Sequence, residues 1–115
     1  MKYMPSRIAN AMYRQIHSRG YATSVDVLMY IGVLEKSKYD DWRAGRVPFL
    51  EAECTANLRK LSEMMKEIRS CATKNGWKPS VCSYKHKGKP LRFSTTGNPK
   101  IEEAYATHYV IEEKG

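Results

Sequence analysis

Apolar residues change their spacing several times along this chain, and each change marks a different kind of element. Ile8, Met12 and Ile16 stand four apart, which predicts a first helix capped by Ser6 and running to about Arg19, with Gly20 as its stop. Thr23 and Asp26 form a T-x-x-D start, a variant of the capping box with Asp in the Glu position. Val27, Leu28 and Ile31 follow as the inward face of a short second helix that Gly32 ends, with Val33 and Leu34 tucked into the core. Ser37 and Asp40 repeat the pattern and open a third short helix, closed by Gly45. Apolar residues at 50, 54, 58, 61, 65, 68 and 72 then keep helical steps without a miss. Together with Pro48 as a first helical residue, they predict one long helix over residues 48–75, about 40 Å from end to end.

After Asn75-Gly76 the helical period stops. Residues 80–86 (SVCSYKH) alternate roughly, KGK at 87–89 reads as a tight turn, and PLRFS at 90–94 reads as the return strand of a hairpin. Residues 95–99 (TTGNP) have loop composition. Asn98 and Pro99 fit the cap and first position of a short helix to residue 105, and THYVI at 107–111 fits a third strand. The pattern predicts a single α+β domain over residues 1–115, with about four helices in residues 1–75 followed by a small antiparallel sheet in the basic part, residues 76–115.

Composition sets the compartment. The chain is 42% hydrophobic and 28% charged, as in ordinary globular proteins. Its longest apolar run, VLMYIGVL at 27–34, is too short to span a bilayer, and its start has no apolar signal core. Cys54, Cys71 and Cys82 are odd in number and share no metal-motif spacing, so they read as free thiols in a reducing compartment. Both points suggest a cytoplasmic protein without membrane partners.

The net charge of +8 is unevenly laid out. Residues 1–25 hold Lys2, Arg7, Arg14 and Arg19 and no acid. Residues 77–101 hold Lys78, Lys85, Lys87, Lys89, Arg92 and Lys100, again without an acid. The chain between them is nearly balanced, and Glu102 onward is acidic. Such a layout suits an anionic partner.

Candidate chemistry is sparse. In SKYDDWRAGRVPFLE (37–51), Asp40 and Asp41 sit side by side, yet on a helix their carboxylates diverge by about 100° and do not meet on one reacting atom. Placed in a first turn they suit the helix dipole, Asp40 pairs with Arg43, and Tyr39 shares a face with Trp42, so this stretch reads as a helix corner. The same two acids argue against a helix-turn-helix that reads DNA, because they would meet phosphates. Cys82, His86 and His108 are too few and too scattered for a zinc site, and with Glu102 they are the only residues that suggest an enzyme. No cofactor motif appears.

The leading expectation is a non-enzymatic nucleic-acid-binding protein. Arg7, Arg14, Arg19, Lys78, Lys85, Lys87, Lys89 and Arg92 would meet phosphates, while Trp77 and Tyr84 offer rings for unpaired bases. The structural alternatives are a solvated edge hairpin and, for Tyr84, a place in the core. A second expectation is an interaction module for an acidic protein, dimeric through the long helix if its apolar stripe is wider than so small a domain can cover.

Overall fold

A computed structural model describes residues 4–111. Lys2 and the last residues of the acidic tail lie outside the described residues. The elements run α1 (Met4–Arg19), β1 (Tyr21–Thr23), α2 (Ser24–Tyr30), α3 (Lys36–Arg43), a 3-10 turn (Leu50–Glu53), α4 (Leu58–Lys74), β2 (Lys78–Val81), β3 (Lys85–His86), β4 (Lys89–Pro90), α5 (Pro99–Ala106) and β5 (Thr107–Val110). The expected α+β character is present, with five α-helices rather than about four. The strands do not all follow the helices, because β1 precedes α2 and α5 separates β4 from β5. No described helix is long and apolar enough to cross a membrane.

The sheet has the order β1-β5-β2, antiparallel throughout, and β3 and β4 form a separate two-stranded hairpin. In register, Tyr21 and Lys78 both face Val110, Ala22 and Pro79 both face Tyr109, and Thr23 and Ser80 both face His108. Pleating therefore divides the sheet into two faces. Ala22, Tyr109 and Thr107 are buried on one face, the side on which α1 packs against β1. Tyr21, Lys78, Val110, Thr23, Ser80 and His108 belong to the other face.

The stretch 37–51 is a corner built on Trp42. Its indole is fully buried and donates from Nε1 to the Arg92 carbonyl at 2.7 Å, while its ring lies 4.9 Å from Phe93 and 5.6 Å from Tyr84. Tyr39 shares its face, with ring centres 6.0 Å apart. The capping details differ from expectation. Helix α3 begins at Lys36 with Glu35 at the cap and no side-chain bond, so Ser37 is not the cap and the two acids lie beyond the first turn. Asp40 pairs back to Lys36 at 2.7 Å, Asp41 pairs forward to Arg46 at 3.1 Å, and Arg43 turns instead toward Tyr84. Likewise Ser6 lies inside α1 rather than at its cap. The T-x-x-D start of α2 forms as read: Thr23 Oγ1 accepts from the Asp26 N–H at 3.0 Å.

The long helix over 48–75 is shorter at its N-terminal end, because tertiary hydrogen bonds claim the backbone there. Leu50 and Glu51 donate their N–H groups to the Arg92 and Phe93 carbonyls at 3.1 and 2.9 Å, and Thr55 donates to Val33 at 2.9 Å. Asn57 then starts α4 by accepting from the Lys60 N–H at 2.9 Å. The remaining 17 residues span about 25 Å. Leu61, Met64, Ile68, Cys71 and Ala72 form the buried stripe, which leaves Leu58 at the surface and Met65 half-buried. Each fully buried aliphatic of that stripe contributes about 1.5–3 kcal/mol.

The C-terminal hairpin is also smaller than its pattern. Strand β2 pairs with β5, and Cys82 extends that ladder by donating to Ala106 at 3.0 Å. Only Lys85–His86 and Lys89–Pro90 pair locally, across a Lys87-Gly88 turn with both residues at positive φ. Leaving the ladder after Cys82 lets Tyr84 reach Phe93, 5.2 Å away in a T-shaped contact. Asn98 caps α5 and Pro99 follows it, as the sequence predicts.

Candidate nucleic-acid interface

The sheet face turned away from α1 gathers rings and cations. Strand β1 follows directly on α1 at Gly20, whose φ of +81° turns the chain, and this brings Tyr21 beside Arg19. The Arg19 guanidinium lies 4.2 Å from the Tyr21 ring centre. Tyr21 stacks in turn on His108 of β5, with centroids 5.9 Å apart and planes inclined by 15°. His108 Nε2 lies 2.8 Å from the Tyr84 hydroxyl, and Arg43 sits over the Tyr84 ring at 5.1 Å. Lys78 occupies the same cross-strand row as Tyr21, and both are exposed, Tyr21 to 37%.

Burial favours the uncharged form of His108. Burial lowers its pKa, Asp26 raises it and Arg19 lowers it, with burial the largest influence. His108 Nε2 and the Tyr84 hydroxyl, 2.8 Å apart, share one hydrogen bond. Burial is also the main cause that pushes the Tyr84 phenol upward, so this ring stays protonated and hydrogen-bonded. Tyr21 and His108 thus form one stacked aromatic pair, with the Arg19 guanidinium over the Tyr21 ring.

The sequence-predicted residues separate into groups. Arg19 and Lys78 border the aromatic surface, although Arg19 also pairs with Asp26 at 2.6 Å and bonds Gln15. Arg14 lies over the Tyr30 ring at 5.5 Å, in an open groove between α1 and α2 that Arg19 and His17 also line. Arg7 donates to the Ile31 carbonyl at 2.6 Å, where it satisfies the C-terminal end of α2. Lys85, Lys87 and Lys89 are exposed on the hairpin, with no ion pair among the described residues. Arg92 belongs to the 93–97 loop: it donates to the Ser94 and Thr95 carbonyls and packs beside Phe49. Tyr84 is half-buried against Trp42 and Phe93, as the core alternative holds, and only its hydroxyl and one face join the site. Trp77 points elsewhere, edge-on to Tyr13 at 5.6 Å near the end of α4.

Pattern reading missed Tyr21 and Arg43 as site residues and gave His108 a different part. A three-residue strand is too short to show alternation, so Tyr21 looked like loop. The four residues weighed for catalysis each keep their own company. Glu102 accepts from the Phe93 and Ser94 N–H groups at 2.9 and 2.6 Å, which ties down both its oxygens. His86 packs on Gly45, Cys82 donates toward the Ser80 carbonyl at 3.7 Å, and His108 bonds Tyr84. Among the described residues no group of three or more His, Cys, Asp or Glu is gathered to hold a metal ion. Compared with protein-family models, curated proteins and solved structures, the chain matches none.

Proposed function

We propose that this protein binds nucleic acid without acting on it chemically. The observation that carries this reading is the stack Arg19–Tyr21–His108 on one sheet face, where Tyr21 shares a cross-strand row with Lys78. A base stacks on the Tyr21 ring by taking the place of the Arg19 guanidinium, which then meets a neighbouring phosphate. Lys78, Arg43 and the three hairpin lysines then supply cations along the backbone on either side of the stacked bases. Arg14 extends the track along the α1–α2 groove, whereas Arg7 and Arg92 act within the fold.

Binding of labelled single- and double-stranded oligonucleotides across a salt series tests the proposal. Affinity falls steeply with salt, and replacing Lys85, Lys87 and Lys89 by Glu reduces the log–log slope by about 2–3. Tyr21→Ala weakens single-strand binding by about 1–2 kcal/mol and leaves the slope nearly unchanged. Negligible binding at low salt, or an undiminished affinity in both variants, would rule the reading out.

A further inference from the structure

On the opposite side of the sheet, α4 and α5 leave a trough that the core does not fill. Two clefts of about 250 and 600 Å³ share Met65, Arg69, Lys100 and Ala104 and form one continuous depression. Apolar side chains stand exposed along it, Leu58 at 52%, Ile101 at 40% and Val81 at 59%, with polar residues such as Ser62, Thr73 and Thr96 between the charged ones. The trough follows α4 from Leu58 in its first turn to Thr73 in its last. At 1.5 Å per residue that is about 22 Å, the length of a four-turn helix. Exposed aliphatics in a row along a groove are the usual seat of an amphipathic helix.

The rim decides what kind of helix. Lys66, Arg69 and Lys100 border the trough and hold no ion pair among the described residues. Of the acids on its wall, Glu51 is turned inward, accepting from the Tyr105 hydroxyl and the Thr95 N–H at 2.7 Å each. Glu103 is the acid left at the rim. A second copy of this chain would bring the same three cations against themselves across a two-fold contact, which like-charge repulsion opposes. We propose that the trough docks an amphipathic helix of another protein, one that carries acidic residues along both flanks of its apolar stripe. The helix apolar side chains replace water over Leu58, Met65 and Ile101, and its carboxylates meet Lys66, Arg69 and Lys100.

The test uses the full chain and two synthetic helical peptides of about 15 residues, with leucines at helical spacing flanked either by glutamates or by lysines. Fluorescence anisotropy measures affinity, and amide chemical shifts locate the contact. The glutamate peptide binds saturably with shifts along α4 and α5, and the lysine peptide binds at least about tenfold more weakly. Arg69→Glu and Ile101→Asp, both at exposed positions, each weaken the glutamate peptide about tenfold while circular dichroism stays unchanged. Tyr21→Ala leaves it unaffected. Absent saturation, equal affinity for the two peptides, or shifts confined to other elements would overturn the proposal. So would a dimer in sedimentation that Ile101→Asp dissociates, because the occupant would then be a second copy.

Discussion

Trp42 has no exposed surface, and its one polar atom is spent on the Arg92 carbonyl. Trp42→Phe removes one of the two donors to that carbonyl, which keeps the Leu50 N–H, and leaves a small void in the core. Urea denaturation is expected to show a loss of about 2–3 kcal/mol with an unchanged m value. His108 is a second residue whose contribution can be read separately. Its pKa is lower when folded, because burial disfavours the imidazolium. The unfolded chain therefore binds more protons as pH falls below the ordinary histidine value of 6.5. Stability is fully present above that value and declines through the window beneath it, down to the depressed folded pKa. His108→Gln is expected to flatten this part of the curve of stability against pH, measured by urea melts between about pH 7.5 and 5.

At the scale of elements, capping and turn chemistry can be tested one at a time. Asn57 ends the irregular stretch and begins α4, so Asn57→Ala is expected to cost about 1 kcal/mol in thermal or urea unfolding. Lys87 holds a left-handed conformation, φ 51°, in the two-residue turn of the hairpin. Lys87→Asn suits that conformation better and is expected to stabilise the protein by up to about 1 kcal/mol, while removing one hairpin cation. These two positions also show why some elements were legible and others were not. Helix stops at Gly20, Gly32, Gly45 and Gly76 depend on positive φ, a local property that the residue type announces. The cap at Thr23 and the Asn98-Pro99 start are local as well. The break before α4 was hidden, because it arises from bonds to Val33, Arg92 and Phe93, residues distant along the chain. The unbroken apolar steps from 50 to 72 conceal it. Tyr21 was hidden for the same kind of reason: beside its neighbour Arg19, its partners are His108 and Val110, and nothing near it in sequence reports those two. The basic segments were plain in the sequence, but not that Arg7 and Arg92 bond within the fold while Lys85, Lys87 and Lys89 stand free of ion pairs among the described residues.

In the whole molecule, the two sheet faces offer different chemistry. One presents Tyr21 and His108 with cations at the border, the other an apolar trough with Lys66, Arg69 and Lys100 at its rim. Pleating alone creates this division, since neighbouring residues of β2 and β5 point to opposite sides. The arrangement of β5 has a further consequence. It is the central strand, yet of the three strands of its sheet it is synthesised last, and Thr23 waits for His108 before it has any strand partner. On a ribosome, α1, α2 and α3 emerge early with β1 unpaired, and β2 also stays without its neighbour until residues 107–110 arrive. Neither face exists before that moment. A nascent chain that ends before those four residues carries every cation of the proposed interface and lacks the sheet that gathers them, so the proposed binding is expected only once translation has passed β5.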